Sequence, residues 1–189
     1  MSIEDKIDID LFKVVNRAIA ESDDLEIMAN HLTQLLVVAL QTKGCTIFIL
    51  NPETRELELI ASSGLSVDYI NKGPVFSNKS IRTTLKGEPV VVRDIHSSDQ
   101  LQYPEDAEKE GIGAIVSLPI KFGSTLVGAL RLYHHEPWHV SERDLDSLYL
   151  LGENIGLAMT YTRLVTAIQD IRDTVDEVHT VWLDKKTTT

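Results

Sequence analysis

The stretch "LYHHEPWHVSERD", residues 132–144, gathers His134, His135, Glu136 and His139 into six consecutive positions and holds three of the chain's six histidines. Imidazole is the commonest metal ligand, so this is the first place to look for chemistry. The spacing argues against a shared ion. His134 and His135 are neighbours in extended chain, which sends their side chains to opposite faces, and Pro137 turns the chain before His139. The stretch reads as a solvated connector, and no metal site is assigned. Cys45, the single cysteine, rules out an internal disulfide and lies inside the apolar run 45–50. It reads as a buried packing thiol, because a nucleophile needs an exposed, electropositive setting. No Ser-His-Asp arrangement or Gly-rich phosphate loop stands out, and Gly111 and Gly113 precede a strand instead of forming a strand-to-helix cradle.

The formal charge of −11 would repel nucleic acid phosphates and anionic lipid, and neither Lys nor Arg forms a dense run. A nucleic-acid role is not expected. No apolar stretch approaches the ~20 residues of a membrane span, and Glu4, Asp5, Asp8 and Asp10 make the amino terminus unlike the basic start of a signal peptide. The expected setting is cytoplasmic.

The elements that must position any site follow from periodicity. Ile7, Leu11, Val14 and Ala18 share one face of an N-terminal helix over residues 1–20. Asp23, with Glu26 three residues on, is the expected cap of a second helix whose apolar stripe is Leu25, Met28, Leu32, Leu35, Leu36 and Ala39. "CTIFILNPETRELELIA" reads as an antiparallel hairpin, and "SNKSIRTTLKGEP" as a short helix from Ser77 stopped by Gly87. "VVVRDI" is a third strand. Residues 96–111 form a long loop with a helical turn in "PEDAEKEG". "IGAIVSLPIKFGSTLVGALRLYH" is a second hairpin around a Gly-Ser turn, and its Pro119 must lie at a bulge or away from a neighbour. Ser141 and Asp144 start a closing helix that runs nearly to the end of the chain. Its Leu157, Tyr161, Leu164, Ile168, Ile171, Val175, Val178 and Trp182 follow one another at alternating intervals of 4 and 3. That is a heptad seam of ~39 Å at ~1.5 Å per residue. Leaving such side chains in water would forfeit ~1.5 to 3 kcal/mol each, so a partner helix is expected.

This order predicts an α+β fold, with a mostly antiparallel central sheet of about five to six strands, helices packed on one face, and long N- and C-terminal helices in a bundle or coiled coil. It resembles the GAF domain, a sensory module of bacterial signalling proteins and cyclic nucleotide phosphodiesterases. "CTIFILNPETRELELIA" looks like that family's first hairpin, "KGEPVVVRDI" its helix end and following strand, "SLPIKFGSTLVGALRLYH" its central hairpin, and "SERDLDSLYLLGENIGLAM" its closing helix. The implied division is an N-terminal helix over 1–20, a GAF-like domain over 21–162 and a signalling helix over 163–189. Some family features are missing. Asn78-Lys79-Ser80-Ile81 replaces a glycine-flanked helix start. Members that bind cyclic nucleotides carry Asn-Lys at the end of the last strand and a Phe, three spacers and Asp-Glu entering the closing helix. Here those places hold Tyr133-His134, Val140 and Asp144-Leu145. Relatives that reduce free methionine sulfoxide use several cysteines, and bilin-binding relatives attach the chromophore through a cysteine in the later half of the domain, where this chain has none.

The resemblance places a ligand pocket between the sheet, the short helix at 78–86 and the 96–111 loop. Within those segments Thr46 and Phe48, Ser80 and Thr84, Arg93 and Tyr103 are the expected ligand-contacting residues. The implied function is a non-catalytic sensory domain that binds a small molecule or partner and transmits the change through a helical homodimer. No cofactor is specified. The alternatives are a redox or metal-dependent enzyme on the same fold, using the histidine-rich loop, and a ligand-free dimerisation scaffold.

Overall fold

The computed structural model describes residues 7–54, 56–72, 82–98, 101 and 103–184, with 82, 85 and 177–184 by their backbone alone. Helix α1 (Ile9–Ala20) is capped by Asp8, whose carboxylate accepts from the backbone N–H groups of Asp10 and Leu11. Helix α2 (Leu25–Leu40) is capped by Asp24, which accepts from Ile27 N at 2.8 Å. The expected cap was Asp23. Adjacent aspartates offer the same chemistry, and the turn that buries Met28, Leu32 and Leu36 decides which of them sits at the helix start. The same freedom moves the apolar face of α1 from Val14, which is exposed, to Val15, which is fully buried with Leu11 and Ala18. In α2, Ala39 is exposed and Leu40 takes its place in the core.

Strands β1 (Gly44–Leu50), β2 (Leu57–Ser63), β3 (Val90–Val92), β4 (Ala114–Phe122) and β5 (Thr125–His134) form one antiparallel sheet in the order β2-β1-β5-β4-β3. Both expected hairpins are present. Pro119 pairs with Ala129 beyond the end of the β3 pairing, one residue before a register shift at Ile120/Lys121, so its missing N–H costs no ladder bond to β3. The third strand stops at Val92, short of the expected Ile95. Asp94 turns its carboxylate onto His96 N and opens a 3-10 turn over Ile95–Ser97. Short helices α3 (Val67–Ile70), α4 (Arg82–Leu85) and α5 (Pro104–Lys109) lie in the connections, the last where the helical turn in the 96–111 loop was expected. Gly87, just past α4, takes φ +87°, the left-handed conformation that a helix stop uses. The expected helix residues 77–81 lie outside the described residues.

Two apolar layers result. Cys45 and Ile47 of β1, Val116, Leu118 and Ile120 of β4, and Leu130 and Leu132 of β5 meet α1, α2 and the closing helix α6 (Glu142–Asp184) on one face. The opposite face carries Val90, Val92, Ile115 and Tyr133, which still need cover, and Tyr69, Ile95, Leu101 and Ala107 from the short segments supply it. The long helices thus gather on one face, and short helical turns close the other.

Helix α6 opens with Ser141 Oγ accepting from Asp144 N at 3.0 Å. Its first turns bury Leu148, Leu151, Ile155 and Met159 in the main core. A Cβ at Gly156 would come within 2.0 Å of the Lys121 carbonyl oxygen, so α6 rests on the backbone of β4 where a side chain cannot fit. The helix then continues past the sheet as a 43-residue element. Leu157, Tyr161, Leu164, Ile168, Ile171 and Val175 are each more than half exposed. Val178 and Trp182 belong to the helix, but their side chains lie outside the described residues. Among the described residues no helix is long and apolar enough to cross a membrane.

Gly156→Ala should destabilise the fold by about 1–2 kcal/mol: the clash is with the Lys121 backbone, which cannot swing aside, and so costs ~2–3 kcal/mol, partly offset by the ~1 kcal/mol helix preference of Ala over Gly. Urea denaturation reads this as a lower midpoint, and an unchanged or higher midpoint would show that the close contact is not needed.

Candidate ligand site on the second face of the sheet

Alternation along the strands sends every second residue of β1, β4 and β5 away from the long helices. In one row across the sheet, Ser62, Thr46, Arg131, Ser117 and Val90 are successive pairing partners on β2, β1, β5, β4 and β3. Four of these five side chains are polar. Thr46, Arg131 and Ser117 are buried, Arg131 with only 5% of its surface exposed.

Hydrogen bonds tie this row to the segments above it. Thr46 Oγ1 and the Tyr133 hydroxyl share a hydrogen bond at 3.2 Å. Thr84 of α4 donates to Ser117 Oγ at 3.1 Å, and Arg131 Nε donates to the same oxygen at 3.4 Å. The Arg131 guanidinium carbon lies 6.0 Å from the centre of the Phe48 ring, and Ser62 Oγ is buried with no hydrogen-bond partner among the described residues. Tyr69 of α3 meets Tyr133 edge to face with ring centres 5.8 Å apart. Lys72 Nζ sits 3.4 Å from the centre of the Tyr69 ring and donates to Tyr69 O at 2.8 Å.

Electrostatics follow from this enclosure. Burial, and then the neighbouring Tyr133, push the Tyr69 phenol above its ordinary value, so it stays protonated. Burial and then the Arg131 charge bring Lys72 down to about 8, against the opposing pull of Asp106 and Glu110. Glu110 ties the cover down: its carboxylate accepts from Ser66 N and from Ser66 Oγ at the start of α3, and from Lys43 Nζ at 3.4 Å. Burial works against its charge, but those hydrogen bonds hold its carboxyl below the usual range. Burial also pushes the Cys45 thiol well up, which suits a packing residue.

Of the expected site residues, Thr46, Phe48 and Thr84 lie on this second face. Tyr103 precedes α5, half-buried, with its ring centre 5.9 Å from Lys72 Nζ. Arg93 does not join them among the described residues; it is exposed, and its carbonyl accepts from Trp138 N at 2.9 Å. Ser80 lies outside the described residues. Sequence reasoning missed Arg131, Tyr133, Ser117, Tyr69 and Lys72. Arg131 did leave a signal, as the one charge inside "VGALRLYH". Alternation with Leu130 and Leu132 puts it on the face opposite the core.

A buried guanidinium, hydroxyls and aromatic rings gathered in one place can orient a polar molecule. Among the described residues, no imidazole or carboxylate takes a proton from Thr46, Thr84 or Ser117. At the histidine-rich loop, His134 Nδ1 is engaged with Glu136 N and O, its ring packs on Trp138, and His135 and His139 are exposed. Among the described residues no group of three or more His, Cys, Asp or Glu is placed to hold a metal.

Lys72 should titrate with a midpoint near 8, while exposed lysines titrate near ~10.4. Because the folded value is depressed, stability should rise with pH as the folded form loses its proton ahead of the unfolded chain. NMR of the reductively methylated protein reads the midpoint, and one equal to that of the other lysines would remove Lys72 from the enclosed cluster.

A family model for the GAF domain matches residues 22–160. Among solved structures, the fold is similar to that of the GAF domain from a phosphoenolpyruvate-protein phosphotransferase of Coxiella burnetii, at 20% identity and TM-score 0.70, covering 83% of this chain and 96% of that one. It is also similar to a domain of a putative two-component sensor histidine kinase protein from Sinorhizobium meliloti 1021, at 19% identity and TM-score 0.62, covering 72% and 91%. Free methionine-R-sulfoxide reductase from Neisseria meningitidis, solved in complex with its substrate, is similar at 16% identity and TM-score 0.68, covering 82% and 89%. Comparison with curated protein sequences gives no match. The structural likenesses, all at low identity, speak to the fold, whereas the family model spans most of the chain and the whole sheet: the chain belongs to the GAF domain family.

Proposed function

We propose that this GAF domain is a non-catalytic, cytoplasmic sensor that holds a small molecule on the second face of its sheet and passes the resulting shift along α6 to an output. The observation that carries the reading is the continuity of α6. One helix begins in the main core against β4 and ends as an exposed apolar seam, so a displacement of the sheet reaches the seam without a hinge. The domain over 21–162 is the sensing body, 163–189 the signalling helix, and the seam pairs with a second copy of the chain, with the N-terminal helix beside it.

The ligand class follows from the row Thr46, Arg131 and Ser117. A guanidinium flanked by hydroxyls, with Lys72 close enough to feel its charge, favours a small molecule carrying a carboxylate or phosphate. Tyr69, Tyr133 and Phe48 supply apolar and aromatic surface for the rest of it. Such a ligand changes the output only if it binds two arrangements of the domain with different affinity. The enzyme reading has less support, since His134 is engaged locally with Glu136 and the Trp138 ring, and His135 and His139 are exposed. The similarity to a methionine sulfoxide reductase concerns the fold.

A thermal-shift screen of small carboxylates, amino acids and nucleotides tests the ligand. At a hundredfold excess over its Kd a true ligand stabilises by ~2.7 kcal/mol, which is ~5–10 °C for a chain of this size. Thr46→Val, which keeps the β-branched shape and removes the hydroxyl, should cut that shift by at least half. If no compound in the screen moves the melting temperature, the sensing role loses its footing. Sedimentation at micromolar concentration should give a dimer, and Ile168→Asp, on the exposed part of the seam, should give a folded monomer; a monomeric parent protein would sink the helical dimer.

A further inference from the structure

We infer that the α6 seam pairs in parallel and in register with the same seam of a second copy, Asn154 facing Asn154 across the two-fold axis; this rests on the dimer proposed above and assigns its orientation. In heptad terms Leu157, Leu164 and Ile171 occupy one seam position, d, and Tyr161, Ile168 and Val175 the other, a. Extending the repeat toward the domain puts Asn154 at a and Leu150 at d. The structure bears out that extension: Leu150 is exposed and Asn154 half-buried on the same side of α6, while Leu148, Leu151, Ile155 and Met159 turn into the core. Leu150, Leu157, Tyr161, Leu164, Ile168, Ile171 and Val175 together expose on the order of 800 Å², about what one partner of a standard stable interface buries.

The layers decide the occupant and its direction. Beta-branched Ile168 and Val175 share the a positions with Tyr161, and Leu150, Leu157 and Leu164 fill three of the four d positions beside Ile171; this is in the main the composition that favours two parallel strands, and a polar Asn at one a position sets their register. In a parallel pair, a meets a and d meets d, so Asn154 finds the amide of its own copy. In the antiparallel pairing that covers the same residues, 150 lies opposite 175, 154 opposite 171 and 157 opposite 168. Asn154 would then face Ile171, an unmatched amide against an apolar side chain. The flanking charges, Glu153 and Arg172, do not compete, because they face uncharged partners in either direction: Ala158 and Ala167 in the parallel pair, Thr174 and Leu151 in the antiparallel one. A parallel pair also places the two sensing bodies side by side at one end and both signalling helices at the other.

Cross-linking of the full chain separates the outcomes. Leu157→Cys and Ile168→Cys change exposed positions, and the native Cys45 is buried and silent. With oxidant, each single variant should cross-link to itself into a species of twice the mass, at a rate that a mixture of the two does not raise. Cross-linking confined to the mixture would overturn the parallel direction while leaving the dimer intact. A dimer by sedimentation in which neither pairing forms would also overturn the assignment, by placing the interface elsewhere. Monomers by sedimentation would overturn both this inference and the dimer beneath it.

Discussion

The close approach of α6 to β4 is the contact from which the rest of the architecture follows. With no side chain at Gly156, and with Gly152 also set against the Pro119 carbonyl, the helix lies directly on the strand, and Leu148, Leu151, Ile155 and Met159 pack into the main core on that same face of the sheet. In the first turn of the same helix Asp144, a buried carboxylate, accepts from Ile7 N at 3.0 Å and so ties the segment before α1 to the start of α6. Sheet, N-terminal helix and exposed seam therefore share one rigid element. A long α-helix resists bending unless a Pro, a bulge or an inserted side chain interrupts its hydrogen bonds, and "DSLYLLGENIGLAMTYTRLV" contains no proline.

The two faces of the sheet do different work. The face under α1, α2 and α6 is apolar throughout, with aliphatic side chains dominating β4 and β5. The other face buries a guanidinium, the hydroxyls of Thr46, Thr84 and Ser117, and two tyrosines under short segments. Burying polar groups is costly unless they are hydrogen-bonded, and here Thr46, Tyr133, Thr84, Ser117 and Arg131 bond to one another. A fold needing only cover for Val90, Ile115 and Tyr133 could use aliphatic residues in that row. The polar row is the part of the molecule that stability alone does not call for, and the sensing role is assigned to it for that reason.

The legibility of these parts in the sequence differed for physical reasons. The hairpins were plain because apolar runs bounded by "NPETRE" and by Gly123-Ser124 admit few other readings. Val14 and Val15 show where such reading stops: intervals of 3 then 4 and of 4 then 3 both fit a helix with 3.6 residues per turn, and only the neighbouring α2 picks Val15. The site was half visible. Thr46, Phe48, Thr84 and Arg93 were all placed by resemblance to a family pocket, yet Arg93, just past the end of the third strand, is exposed. Arg131 sits in the strand after the Gly-Ser turn of the second hairpin, and the alternation that buries Leu130 and Leu132 on one face dictates that it leaves on the other.

The sequence by itself determined the class of the fold, the two hairpins and the heptad seam, because each depends on periodicity within a single segment. Only the tertiary structure decided that Ser62, Thr46, Arg131 and Ser117, drawn from four strands, stand in one row. It likewise decided that α3, α4 and α5 close over that row, and that the seam emerges from the domain on the side of α6 turned away from the core. These are matters of strand order and register. Residues 62, 46, 131 and 117 become neighbours through pairings between distant segments, and no local pattern of residues encodes which strands will lie side by side.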